Sequence, residues 1–472
     1  MSPLRSLCSF LLLLGLSGCL LGPDYKRPDI ALPQGFNTGD GATSATAMQA
    51  TPGVSVKTDW WTQFGDKTLN SLVETARLEN ADLQIALGRL AQAEALARQA
   101  GAAQYPTLNM TGAGTRASTG TSVSPTGVGL QTNTSQLGLA TSYELDVWGR
   151  VRRNIESASS LATASAYDRD SIALTISALV SNTYMRLRSL DAQIVVVTNS
   201  VQTRADTLRV AQAKLAGGLV SPIDVNQALA ARSASQATLS ELKRQRAIVQ
   251  NQLGVLTGKL DLKLDALDLR SLPMPPVPPA GLPSTILESR PDINRVEKEL
   301  TAANARIGVA TANFFPTISL TGVFGSQSVD FSAFLSGRST VWSASIGLLQ
   351  PIFTGGALQA RLDFANAQQQ EVLGNYVKVI RGAFGEVSDA LVSVRQTLET
   401  EQFLTQQVQA ATKAQELASL RYEAGYVDYL NVLEAQRSAN EANLAFVINR
   451  SQRLQAGVDL FKALGGGWTV SP

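Results

Sequence analysis

Few residues in this 472-residue chain can do covalent or proton-transfer chemistry. Without histidine there is no imidazole base, no Ser-His-Asp triad and no imidazole metal ligand. The two cysteines, Cys8 and Cys19, are too few for a thiolate zinc site or a disulfide framework. Gly254 to Lys259 has a faint look of a phosphate loop, but only three residues separate its glycines. Leu260 also stands where that loop needs Ser or Thr, so the motif is rejected. Trp60 and Trp61 could form a carbohydrate platform, but they read better as packing residues. What remains is carboxylates and phenols. Two glycine turns also stand out, Gly217-Gly218-Leu219-Val220-Ser221-Pro222 and Glu423-Ala424-Gly425-Tyr426-Val427-Asp428. Carboxylate-only chemistry is formally possible, yet no second feature supports it, and the chain reads as a non-enzyme with no metal site and no cofactor. Forty basic and 38 acidic residues leave a net charge of +2, which argues against a general nucleic-acid binder.

Cys19 has a different use. Arg5, the apolar run Leu7 to Leu16 and then Ser17-Gly18 form a secretory signal over residues 1–18. The run is too short for a spanning helix, which needs ~20 residues. Leu16-Ser17-Gly18-Cys19 resembles a bacterial lipobox, implying cleavage before Cys19, a thioether-linked diacylglycerol on its sulfur and an N-acyl chain. The next residue is Leu20 rather than Asp, which by the same resemblance permits sorting to the outer membrane.

The elements that must position the turn residues are visible in the proline spacing. No proline occurs between Pro125 and Pro222, or between Pro351 and Pro472. These stretches are rich in Ala, Gln, Leu, Arg and Glu, so they predict very long helices over about 150–215 and 356–422, each ~100 Å at 1.5 Å per residue. Shorter helices are expected at 67–104, 222–257, 291–313 and 428–464. Strands are expected where apolar and polar residues alternate: Leu137, Leu139, Thr141, Tyr143, Leu145 and Val147 on one face of 136–147, and likewise Ile318, Leu320, Phe324 and Trp342, Ala344, Ile346, Leu348. Such alternation fits membrane barrel strands of ~10 residues. Four strands cannot close a barrel, and lipid forbids open edges, so several chains must contribute. Three would give twelve strands.

The chain also repeats itself. Gln104-Tyr105-Pro106-Thr107-Leu108 is answered by Phe314-Phe315-Pro316-Thr317-Ile318, and Gly218-Leu219-Val220 by Gly425-Tyr426-Val427. The expected division is a signal (1–18), a lipidated, mostly irregular N-terminal strap (19–60) and a first repeat (61–270). A Pro-rich linker (271–285), a second repeat (286–464) and a C-terminal tail (465–472) complete it.

An ordered series of motifs then carries a family resemblance: Gly22-Pro23-Asp24-Tyr25, Asp59-Trp60-Trp61, Asn80-Ala81-Asp82-Leu83, Leu145-Asp146-Val147-Trp148-Gly149-Arg150, Arg290-Pro291-Asp292-Ile293 and Ala303-Asn304-Ala305-Arg306-Ile307-Gly308. With the lipobox and the duplication, the chain resembles the TolC-like outer-membrane factors, in the OprM/NodT lipoprotein branch. The resemblance implies a mainly α homotrimer with a twelve-stranded outer-membrane β-barrel and a twelve-helix periplasmic α-barrel, four strands and two long plus four shorter helices per chain. It implies a passive exit duct for drugs or small toxic compounds in the Gram-negative outer membrane, anchored through Cys19. The partners would be a periplasmic adaptor and an inner-membrane pump, of resistance-nodulation-division type.

It further implies a gate at the helix turns. Gly218, Pro222 and Gly425 mark the turn tips, where adaptor or pump docks. Motif alignment places Tyr422 and Asp224 as a phenol–carboxylate latch. Asp428 and Glu434 are the candidates for an acidic constriction, with Asn431 where a family acid stands. All three acids are equally suited to helix first turns as solvated groups. Two other readings stay open: a duct for type I protein secretion, and a non-conducting lipoprotein with a helical stalk.

Overall fold

The computed structural model describes residues 20–31, 33, 36, 54–57, 59–120, 129–274, 289–330, 334 and 337–470. The signal segment, Cys19 and most of the Pro-rich linker lie outside them. In chain order the elements are β1 (Val54–Lys57), α1 (Lys67–Glu79), α2 (Ala81–Ala102), β2 (Thr107–Thr119), β3 (Leu130–Leu145), α3 (Arg150–Ala216) and α4 (Pro222–Leu256). There follow α5 (Pro291–Ala312), β4 (Thr317–Ser328), β5 (Thr340–Leu349), α6 (Ala357–Glu423), α7 (Tyr429–Ala463) and β6 (Gly467–Val470). The chain splits into two compact units. One comprises Met1–Asp29, Arg89–Ala166 and Arg295–Tyr376; the other comprises Ile30–Gly88, Tyr167–Asn294 and Val377–Pro472.

The first unit holds an antiparallel sheet of order β2-β3-β4-β5. Registered partners in a pleated sheet point to the same side. Met110 opposes Leu139, Leu139 opposes Phe324, and Phe324 opposes Trp342, so one apolar row crosses all four strands. Its members are 74 %, 43 %, 62 % and 75 % exposed in turn, so this face has no cover among the described residues. On the other side, Thr107, Ser142, Thr321 and Ser345 form a polar row. Gly325 opposes Gly138, and a Cβ there would lie 2.3 Å from the Leu137 carbonyl oxygen, so only glycine permits this approach. β3 stops at Leu145 rather than at Val147, because the Asp146 carboxylate turns to accept the Val151 and Arg152 amides, both at 2.9 Å, at the start of α3. Arg153 is buried and holds the segment 21–24. It donates to Asp24 at 2.7 Å, Glu156 at 2.8 Å and the Leu21 carbonyl at 3.2 Å.

The second unit is helical except for one small sheet. Two departures from expectation appear here. The single helix expected over 67–104 is two, which makes five shorter helices among the described residues rather than four. Asn80 breaks it: its backbone is extended, its Oδ1 accepts the Asp82 amide at 2.9 Å, and its Nδ2 donates to the Leu256 carbonyl at 2.9 Å. The strap and the C-terminal tail also hold order, because Val54–Lys57 pairs antiparallel with Gly467–Val470. Trp60 is buried, stacked on Phe461 with ring centroids 5.4 Å apart, and packs edge-on to Trp61. Asp66 caps α1 through the Thr68 amide at 2.7 Å, and its other oxygen accepts the Tyr184 hydroxyl.

Several buried charges in this unit are paired. Asp191, 2 % exposed, accepts from Arg188 at 2.9 Å, Arg246 at 2.5 Å and the Leu267 amide at 3.2 Å. Removing the carboxylate leaves two guanidinium groups uncompensated. Asp191→Ala is expected to lower unfolding free energy by about 3–5 kcal/mol, measured by denaturant titration of the detergent-solubilised protein.

Candidate functional site: the helix turns

Each turn residue owes its position to a helix ending in the same way. At the end of α3 the Gly218 amide donates to the Leu215 carbonyl at 2.9 Å, and the Leu219 amide reaches back to Lys214 at 2.9 Å. At the end of α6 the Gly425 amide donates to Tyr422 at 3.1 Å, and Tyr426 reaches back to Arg421 at 2.8 Å. Both are Schellman closures, which need a left-handed residue; Gly218 and Gly425 supply it at φ 71° and 83°. After the first turn, Ser221 caps α4 by accepting the Ile223 amide at 3.2 Å, and Pro222 takes the first helical position. After the second turn, Asp428 sits at the cap position of α7 but makes no side-chain capping bond.

Between these turns lies a buried cluster of Leu208, Ala211, Ala228, Tyr422, Tyr429 and Val432. It joins the ends of α3 and α6 to the beginnings of α4 and α7. The Tyr422 and Tyr429 rings meet edge-on, with centroids 5.9 Å apart. Burial pushes the Tyr422 phenol above its ordinary pKa, and the Asp224 charge adds to the rise. Burial also raises Tyr429, opposed by the Arg204 charge and reinforced by Tyr422 and Asp224. Arg204 is itself lowered by burial, and donates to the Ala231 carbonyl at 2.7 Å.

Asp224 and Tyr422 are therefore brought to one cluster, where the carboxylate is felt by both phenols. The hydrogen bond between them is not made: the Tyr422 hydroxyl is buried without a partner. Glu434 stands apart, in an exposed ion pair with Arg437 at 3.0 Å, so its charge is compensated locally. Cys19 falls outside the described residues. Sequence reasoning missed Lys214. Its ammonium lies 4.3 Å from the centroid of the Tyr422 ring and donates to the Tyr422 carbonyl. A basic residue in the last turn of α3 was the available signal. Among the described residues no His, Cys, Asp or Glu cluster could hold a metal, and no helix is long and apolar enough to cross a membrane.

This arrangement of an uncovered apolar sheet and long helices ending in paired turns defines a channel-forming outer-membrane class, and comparison with known proteins gives the family. The sequence profile described as Outer membrane efflux protein matches residues 72–259 and 282–466, and the chain belongs to that family. It is 35 % identical over 469 residues to the probable efflux pump outer membrane protein TtgC of Pseudomonas putida, covering 96 % of this chain and 93 % of that one. It is 32 % identical over 472 residues to the cation efflux system protein CusC of Escherichia coli, covering 99 % and 100 %. Among solved structures, the outer-membrane channel OprN superposes with a TM-score of 0.87 at 27 % identity, covering 95 % of this chain and 99 % of that one. The CmeC outer membrane channel of Campylobacter jejuni superposes with a TM-score of 0.85 at 27 % identity, covering 96 % of each. The protein is an outer-membrane efflux channel.

Because the Tyr422 hydroxyl bonds nothing, Tyr422→Phe is expected to leave stability unchanged or raise it by up to about 1 kcal/mol, measured by chemical denaturation in detergent.

Proposed function

We propose that three copies of this chain form the exit duct of a tripartite efflux system in the Gram-negative outer membrane. The single observation that carries the reading is the four-stranded sheet. Its apolar rows are exposed, and β2 and β5 are its two open edges. Unpaired strand edges are intolerable in hydrocarbon, so the sheet must pair with copies of itself. Three sheets make twelve strands, an even number and a lumen wide enough for small molecules. The long and the shorter helices of three chains together then wall a twelve-helix α-barrel in the periplasm. Lipid on Cys19, a thioether diacylglycerol and an N-acyl chain, fastens the N-terminus to the membrane; more than one chain is needed for stable anchoring.

The duct does no chemistry and takes its energy from an inner-membrane pump, of resistance-nodulation-division type, through a periplasmic adaptor docked at Gly218, Pro222 and Gly425. Its cargo is small toxic compounds, a reading supported by relatives whose names include toluene and antibiotic efflux. The helix turns close the periplasmic end, with Asp224, Tyr422 and Asp428 around the aperture; Glu434, already paired, contributes less charge there.

Purified protein placed in planar bilayers is expected to conduct as a trimer by native mass spectrometry. A non-conducting trimer would remove the channel reading. Ile346 is 72 % exposed on the apolar face of β5. Ile346→Arg is expected to cost up to about 2–4 kcal/mol in the bilayer and to reduce the trimer recovered from outer membranes. Undiminished recovery would show that this face does not meet lipid.

A further inference from the structure

Lys214 bridges the ends of the two longest helices, and it does so through one residue. An α-helix leaves its last carbonyls without amide partners and concentrates partial negative charge there. The Tyr422 carbonyl is one of these in α6. It accepts the Gly425 amide at 3.1 Å on one side and the Lys214 ammonium on the other. The same ammonium stands over the face of the Tyr422 ring at 4.3 Å, inside the range of a cation–π contact. The ring cannot swing away, because it is 3 % exposed and wedged against Tyr429. The phenol hydroxyl takes no part. Two interactions of different origin, charge on a helix terminus and charge on a π face, thus converge from the last turn of α3 onto the last turn of α6.

We propose that Lys214, acting on the ring and carbonyl of Tyr422, is the latch that holds the helix-turn gate closed, and that the Tyr422 hydroxyl is not. The proposal rests on the reading of these turns as the gate. Lys214 is a positioning residue in it: the ammonium need not touch cargo, and it acts by fixing the end of α6 against the end of α3. Breaking the contact in every copy at once, taken as one tenfold step per channel, ~1.4 kcal/mol, would shift the closed–open balance about tenfold.

The variants separate charge, ring and hydroxyl. Lys214→Met keeps the aliphatic stem and removes the charge; Lys214→Arg keeps a cation that can still stack on the ring. Tyr422→Phe keeps ring and carbonyl, while Tyr422→Leu removes the ring. The full-length protein is reconstituted in planar bilayers at fixed salt, and the fraction of time open is measured, with thermal unfolding as a check on assembly. Lys214→Met and Tyr422→Leu are expected to raise the open fraction about tenfold. Lys214→Arg and Tyr422→Phe should stay near wild type, and Lys214→Met/Tyr422→Leu should open no further than either single variant. A merely structural lysine would lower thermal stability without moving the open fraction, and that result overturns the proposal. So does opening by Tyr422→Phe with none by Lys214→Met, which would return the latch to the phenol and Asp224. Lys214→Gln repeats the test if Lys214→Met assembles poorly. If Asp224→Ala or Tyr422→Leu opens the channel and Lys214→Met does not, the latch fails and the gate stands. If none of the variants, Asp428→Ala included, alters conduction, the turns are not the gate.

Discussion

A strand edge cannot face hydrocarbon with its amides and carbonyls unpaired. That constraint governs more of this molecule than any single contact. It explains why a sheet can present Met110, Leu139, Phe324 and Trp342 on one side without a core to cover them. The usual hydrophobic argument would treat that row as an unfinished fold; in the proposed barrel, with lipid as the solvent, it is a finished surface. The same constraint reaches inward. Gly138 and Gly325 stand opposite each other, at a contact that a side chain on Gly325 would break.

The helical unit is ruled by different physics. Its helices are long and mixed in polarity, and burial alone does not hold them. Paired charges supply much of the order: Asp191 between two arginines, and Glu401 accepting from Arg450 at 2.9 Å and Arg453 at 2.7 Å. Such pairs gain little over an apolar contact of equal volume, yet leaving one half unpaired is costly. They therefore specify one arrangement of helices more than they strengthen it. At the turns the scheme changes again, to a small apolar cluster with two phenols and a lysine. That patch has no fully compensated ion pair, so it is a reasonable place for reversible motion.

Much of this was legible in the sequence, for local reasons. Proline gaps marked α3 and α6, because a proline cannot sit inside a helix without breaking its bonding. Period-two alternation marked the faces of β3, β4 and β5, because strand geometry makes it unavoidable. What escaped was decided at long range. Asn80 breaks a helix partly through a bond to Leu256, and the β1–β6 pairing joins Val54–Lys57 to Gly467–Val470. The phenol–carboxylate latch comes from motif alignment with the resembled family, not from a local pattern in this chain. The fold instead brings Lys214 to Tyr422, two residues whose proximity no local pattern announces.

α3 and α6 each contain 67 residues, and the helices that follow each contain 35. Since the last turns of the two long helices touch, their lengths are coupled. Losing two turns from one alone would draw its end back by about 10 Å at 1.5 Å per residue, beyond the reach of any side-chain adjustment. Insertions and deletions in these helices can be tolerated only as matched pairs. Equal helix length is thereby itself a heritable, selectable trait of the chain.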